Sequence, residues 1–521
     1  MVVRRGFDPV KLWTICALSG WMAASTVCVA AQVGSTLRVK TAQGVVEGKT
    51  IAEGKTRAFL GLPYAAPPVG ERRWKAPAAP VAWKGVRKAT EFGHHCVQGS
   101  VYADMIFPDA GESEDCLVLN VYTPRASSIR GKLPVMLWIH GGGFIGGAGS
   151  EPRHDGDALP QHGVVLVTIN YRLGVFGFLA TPELIKEGGG HAGNYGLMDM
   201  VAALRWVRAN IASFGGDPGN VTIFGESAGS FAVSTLIASP AARGLFQKAI
   251  GESGSALSKL LDSGTLEQSA TAGQNWAEAM DAKNLTELRA LSADKLLKFS
   301  KLKGAPRFLP TVDGRLLTEP VSATYAAGRQ AHVPLLAGWN RDESTVLAQG
   351  MTAAKWKSLA EARSGGRVET FLKAYPADSD EEAVRSAIAY GSNQFIALGT
   401  WQWIEAQTKT GGAPVYRYHF ELAAPVSKFH PVSVAFHSDD IEYVFGSLDT
   451  RPGAVWRPED RILSEQMMSY WTNFARTGDP NGKGLPRWPR YDKTGEMMIL
   501  DKNIRAERDS HRAQYEFMEK Q

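Results

Sequence analysis

Cysteine is scarce. Four occur in 521 residues, and two of them, Cys16 and Cys28, fall in the first thirty positions. The remaining pair, Cys96 and Cys116, cannot complete a typical zinc site alone, and no local histidine spacing helps it. Also missing is any dense Lys/Arg block with interleaved aromatics. The formal charge of +5 comes from 57 basic against 52 acidic side chains, which leaves a nucleic-acid role with little support. There are no internal repeats and no low-complexity tracts. The 55 Gly and 27 Pro are dispersed, so they mark turns rather than disorder. Past the N-terminal stretch no segment reads as a membrane span.

That stretch is set aside from the fold. Arg4, Arg5 and Lys11 precede an uncharged run from Leu12 to Ala31, and small residues cluster at its end. This is the layout of a secretory signal, residues 1–31, with cleavage expected after Ala30 or Ala31. The competing reading is a membrane anchor, because a run of this length just spans a bilayer, but Thr, Ser and Cys dilute it. The expectation is a secreted or periplasmic protein whose residues 32–521 form a single domain with no stable membrane span. In an exported chain, two cysteines twenty positions apart read as a disulfide closing a surface loop. Closing such a loop is worth roughly 3 kcal/mol in the chain-entropy picture.

What is present in quantity is an alternation of apolar runs and helical periods. Pro134–His140 and Val164–Asn170 are nearly continuous apolar runs, as central strands are. Asp199–Phe214 has apolar residues at helical spacing, and further strands are expected at 249–254, 333–338 and 415–420. This is the pattern of an α/β fold with a large, mostly parallel sheet covered on both faces. Residues 259–330 are polar helices and loops, an excursion from the sheet. In it, Lys295, Lys298, Lys301 and Lys303 read as a solvated face. Trp401 and Trp403 read as packing residues.

The chain is organised around Gly225-Glu226-Ser227-Ala228-Gly229. A buried strand before it and a helix after it put Ser227 on a sharp elbow, its hydroxyl clear of the backbone at a helix N-terminus. Gly141-Gly142-Gly143 directly after a buried strand lets backbone amides turn toward bound substrate, as an oxyanion hole requires. A serine needs a base, and the base needs an acid. The loop after strand 333–338 offers Asp342 and Glu343, between which the pattern alone does not choose. The loop after 415–420 offers His430 and His437, and position favours His437. The acidic residues after His437 are expected to cap a short helix.

From about residue 35 onward the chain closely resembles the type-B carboxylesterases, which include cholinesterases and bacterial p-nitrobenzyl esterases. The resemblance rests on Phe59–Ala65, Pro67–Gly70, Ser113–Asn120, His140–Phe144, Asn170–Gly174, Gly193–Asp199, the GESAG elbow and Tyr470–Ala475. It implies an α/β-hydrolase fold with Ser227 as nucleophile, Glu343 as acid and His437 as base. It further implies oxyanion donors at Gly142, Gly143 and Ala228, support from Ser253, and Glu226 beside the pocket. Cys96–Cys116 matches the family's first disulfide, and Arg73–Glu114 and Arg172–Asp199 match its buried ion pairs. Neither metal nor organic cofactor is implied. The departures are Ser344 and Phe436 in place of the usual small residues next to the acid and the base. A Trp-rich cysteine loop and a second cysteine pair are also lacking, so choline esters are poorly supported. The reading is a serine hydrolase acting on a small or modest-sized carboxylic ester. Its rivals are a catalytically silent adhesion protein and, within the same machinery, an amide, carbamate or polyester hydrolase.

Overall fold

The computed structural model describes residues 37–520 except 126–130, 259, 261–263 and 411. The expected leader and its cleavage site lie outside the described residues. Among the described residues an eleven-stranded sheet dominates. From one edge to the other its strands are Arg505–Arg508, Glu496–Leu500, Val415–Phe420, Leu335–Asn340, Lys248–Glu252, Gly216–Glu226, Leu133–Ile139, Val165–Ile169, Val118–Pro124, Thr56–Pro63 and Lys49–Ile51. Every pair from Glu496–Leu500 across to Val165–Ile169 is parallel, and the outer pairs are antiparallel. The α/β-hydrolase sheet is therefore present, mixed at its edges.

The central strands are apolar throughout because both of their faces are covered. Along Leu133–Ile139 the period of two divides the side chains between two cores. Val135, Leu137 and Ile139 pack on one face with Leu204 and Val207 of the Tyr195–Asn210 helix and Val233 and Leu236 of the Ala228–Ala238 helix. Met136 and Trp138 point the other way, into a cluster with Phe224, Phe445 and Trp471, the last on the Pro458–Thr477 helix. Trp138 meets Phe224 and Phe445 with ring centroids 4.8 and 4.9 Å apart.

Three local expectations shift. The helix expected from Asp199 begins at Tyr195. The strand before the elbow begins at Gly216, beyond the apolar run Val221–Phe224 that marks it in the sequence, with an irregular register between Gly216 and Val221; Pro218 has no N–H to give a neighbour there. The Cys96–Cys116 disulfide is formed, but both cysteines are buried in the main core, so only the loop between them is superficial. Trp403 is fully buried, its Nε1 donating to Tyr325 Oη at 2.8 Å, and Trp401 stacks on Tyr515.

Two buried arginines tie loops to this frame. Arg73 Nε donates to Glu114 Oε1 at 2.7 Å, while Nη1 serves the carbonyls of Arg289 and Leu291. Arg172 grips Asp199 through Nε (2.8 Å), Nη2 (2.7 Å) and its own backbone N–H (3.1 Å), and Asp199 is fully buried. Burial pushes the Asp199 carboxyl upward, and Arg172 opposes that. Deleting one partner leaves an uncompensated charge. Arg172→Met is expected to lower denaturant stability by about 3–5 kcal/mol. Arg172→Met combined with Asp199→Leu should recover most of it, measured by urea unfolding.

Candidate active site

The elbow is dictated by space. A Cβ on Gly225 would lie 2.5 Å from the Ile139 carbonyl oxygen, and one on Gly229 only 1.9 Å from the same atom. Only glycine allows so close a passage of the neighbouring strand. Between them Ser227 adopts φ 52°, ψ −121°, a conformation that L residues rarely hold. Its N–H is fixed to Glu252 O at 2.9 Å, and the Ala228–Ala238 helix begins at the next residue.

Ser227 Oγ lies 2.9 Å from His437 Nε2, and His437 Nδ1 lies 2.6 Å from Glu343 Oε2. A carboxylate accepts, so Nδ1 carries a proton, and in the neutral ring Nε2 is the acceptor that faces the serine hydroxyl. The other Glu343 oxygen accepts from Ser253 Oγ at 2.6 Å and from the Asn340 N–H at 2.7 Å, and the side chain has no exposure. Phe395 packs edge-on against the imidazole at 4.9 Å. Asp342 is engaged elsewhere. Its Oδ2 takes the Ala435 N–H at 3.0 Å and pairs with Arg341 at 2.7 Å, so it clamps the segment leading into His437. The two adjacent carboxylates thus have separate tasks.

Glu226 is 2 % exposed, and its Oε1 lies 3.2 Å from His437 Nε2 and accepts from Ser438 Oγ at 2.6 Å. Burial pushes its carboxyl up to about 7. For His437, burial disfavours the imidazolium, but the facing carboxylates of Glu226 and Glu343 outweigh it and bring the group up to about 9.

The glycine loop lines the same cavity as Ser227. Gly142 has φ +101°, and a Cβ there would lie 2.3 Å from Gly146 O. The Gly141 carbonyl accepts from His140 Nδ1–H at 2.9 Å, and the Gly142 carbonyl accepts from the N–H groups of Ile145 and Gly146, both at 3.0 Å. The Ser227 carbonyl accepts from the Phe231 N–H at 2.9 Å. Each of these carbonyls shares a peptide with the N–H of Gly142, Gly143 or Ala228. Engaging the carbonyl end fixes and polarises the amide at the other end. Burial pushes His140 down to about 4, so it holds its peptide as a neutral ring.

Gly142, Gly143, Glu226, Ser227, Glu343 and His437 all line one cavity of about 990 Å³. Phe176, Phe231, Phe308 and Phe395 give it apolar walls. His430 also lines it, but stands 3.3 Å from Asp439, whereas His437 is hydrogen-bonded to Ser227. Among the described residues no group of three or more His, Cys, Asp or Glu is arranged to hold a metal.

Sequence reasoning missed Asn340 and Ser438. It also misread Asp440, which occupies the N-cap of Ile441–Phe445 without a side-chain cap bond. The Asp440 carboxylate instead accepts from Tyr418 Oη at 2.9 Å and Asn340 Nδ2 at 3.2 Å. No local pattern distinguishes that use from capping.

The Carboxylesterase family profile matches residues 35–518. This chain belongs to the carboxylesterase family. As a member it is a carboxylic ester hydrolase. The chain is 37 % identical to a fumonisin B1 esterase of Sphingopyxis macrogoltabida, over 96 % of this chain and 92 % of that protein. It is 38 % identical to the para-nitrobenzyl esterase of Bacillus subtilis, over 90 % and 96 %. Among solved structures it is similar to a PNB esterase, with a TM-score of 0.79, 35 % identity, and 93 % and 99 % of the two chains covered.

If His437 is the base of this carboxylesterase, its imidazole must be neutral to take a proton, and activity is expected to fall as pH drops through the His437 pKa. Glu226 is the foremost of the carboxylates holding that pKa up. Glu226→Gln removes its charge while keeping an acceptor for Ser438. The acid limb of the kcat/KM profile is expected to move to lower pH; a limb that stays put or moves upward contradicts the role given to this carboxylate.

Proposed function

We propose that Ser227, His437 and Glu343 hydrolyse a carboxylic ester through an acyl-enzyme, with the amides of Gly142, Gly143 and Ala228 as oxyanion donors. The observation that carries this is the continuous chain of contacts Ser227 Oγ–His437 Nε2–Glu343 Oε2 at 2.9 and 2.6 Å. His437 takes the serine proton as Oγ attacks the carbonyl carbon. The carbonyl electrons move onto oxygen and are met by the three amides. His437 then gives the proton to the leaving alkoxide, and the alcohol departs. Water enters, loses a proton to His437 and attacks the acyl carbonyl. Collapse returns the proton to Ser227 and releases the acid. Glu343 keeps Nδ1 protonated and balances the imidazolium, while Ser253 and the Asn340 N–H hold the carboxylate still. Glu226 stands on the far side of Nε2 and shares in that balance.

We further infer that the protein is exported after removal of residues 1–30 or 1–31, a reading supported by the leader-like layout and by the disulfide. N-terminal sequencing of protein from its native host is expected to begin at Ala31 or Gln32; retention of Arg4 and Arg5 on membrane-bound protein would establish an anchor instead.

The roles are tested by kinetics on folded variants. Ser227→Ala should abolish turnover of aryl esters. Glu343→Gln should lower kcat by about 10³ to 10⁴, with KM little changed, by comparison with the acid of the serine-protease triad. Asp342→Asn keeps an acceptor for Ala435 and should cost less than about tenfold. The reverse ranking of the two would make Asp342 the acid.

A further inference from the structure

The segment from Lys295 to Arg307 holds Lys295, Lys298, Lys301, Lys303 and Arg307 and not one carboxylate. Lys298, Lys301, Lys303 and Arg307 are exposed, and part of this face also borders the active-site cavity. Lys301 and Arg307 line the cavity into which Ser227 opens. Lys301 directly follows the Ala293–Ser300 helix, and its Nζ lies 2.8 Å from where a Cβ on Gly99 would be. The ammonium is therefore seated against the backbone of the disulfide-closed loop, next to the cavity-lining residues Gln98 and Ser100. Arg307 donates through Nη1 to Leu260 O at 2.9 Å, which pins one corner of the guanidinium. Its other N–H groups have no acceptor among the described residues.

The remaining charges around the cavity are spoken for. Arg153 sits between Glu151 (2.9 Å) and Asp104 (3.3 Å). His430 lies between Asp104 and Asp439, at 4.0 and 3.3 Å. Glu226 and Glu343 face His437. Among the described residues, Lys301 and Arg307 have no carboxylate within salt-bridge distance. Two cations without a carboxylate partner make their part of the cavity wall locally positive. An anionic group on a bound molecule would be drawn to it.

We propose that this cavity takes esters bearing a carboxylate, or an equivalent anion, remote from the scissile bond, and that Lys301 and Arg307 are the residues that recognise it. The apolar walls accept the chain between the two ends. The proposal rests on the reading of Ser227 as the nucleophile. It deepens that reading by naming a substrate class.

The test compares the mono-4-nitrophenyl ester of suberic acid with 4-nitrophenyl octanoate, two acyl chains of equal length that differ in terminal charge. A second arm compares acetates of 4-hydroxyphenylalkanoic acids with their methyl esters, placing the anion on the alcohol side. In at least one arm the native enzyme should favour the anionic ester in kcat/KM, chiefly through KM, with a preference that fades as salt is raised. In Lys301→Met/Arg307→Met the anionic-to-neutral ratio in that arm should drop roughly tenfold. Lys295→Met/Lys298→Met, which alters the same helix but not the cavity wall, should leave the ratio where it was. No preference in either arm, or an unchanged ratio in the Lys301/Arg307 variant, overturns the proposal. An equal drop in the Lys295/Lys298 variant also overturns it, because the effect would then be a diffuse field. Ser227→Ala retaining turnover of both esters would be a failure of the nucleophile assignment, and so is distinguishable.

Discussion

The active site depends on one steric contact between backbones. The Ile139 carbonyl presses so closely on Gly225 and Gly229 that the elbow has no other way to turn. That contact holds Ser227 in its unusual backbone conformation and starts the following helix at Ala228. Ile139 is also the last residue of its strand, and the chain beyond it is His140 and the glycine loop. Ser227 and the amides of Gly142 and Gly143, the proposed nucleophile and oxyanion donors, are therefore positioned from opposite sides of one contact. The geometry depends on packing between two central strands that are buried on both faces, among the most rigid parts of an α/β protein.

A second constraint is charge. Four carboxyl groups, Glu226, Glu252, Glu343 and Asp440, are buried near a single imidazole. Such a density of anions is tolerable only if most are hydrogen-bonded or neutral. Glu343 is satisfied by Ser253, Asn340 and His437. Burial holds Glu252 well above the usual carboxylate range, with Trp471 Nε1 on its Oε1. Asp440, brought up to about 6 by burial and by the Glu343 charge, is met by Tyr418 and Asn340. The environment thus leaves Glu343 as the carboxylate joined directly to Nδ1.

The sheet, the elbow and the glycine loop were legible in the sequence because each is local: apolar runs bounded by turn residues, and glycines where a Cβ has no room. His437 was legible from its place after a late strand. The choice between Asp342 and Glu343 was not, since it turns on which way two adjacent side chains point, and that is fixed by Asp342 bridging to Ala435, 93 positions away. Asn340, Ser438 and Asp440 had no signature, because the groups they meet come from distant strands. Lys301 is exposed, as a solvated face requires, but the sequence could not show that it also borders the cavity. Helical spacing says which residues share a face, but not which cavity the chain leaving that helix will border.

Ser227 and His437 are 210 positions apart in the chain, and the strand carrying the histidine loop, Val415–Phe420, is flanked in the sheet by Glu496–Leu500. No contiguous piece of the polypeptide contains a working site. A chain still emerging from the ribosome has the elbow long before it has the base, and the bracing strand comes last. The candidate site therefore assembles only once the chain is complete through the His437 loop and the strand that braces it. Until then the serine is an ordinary alcohol.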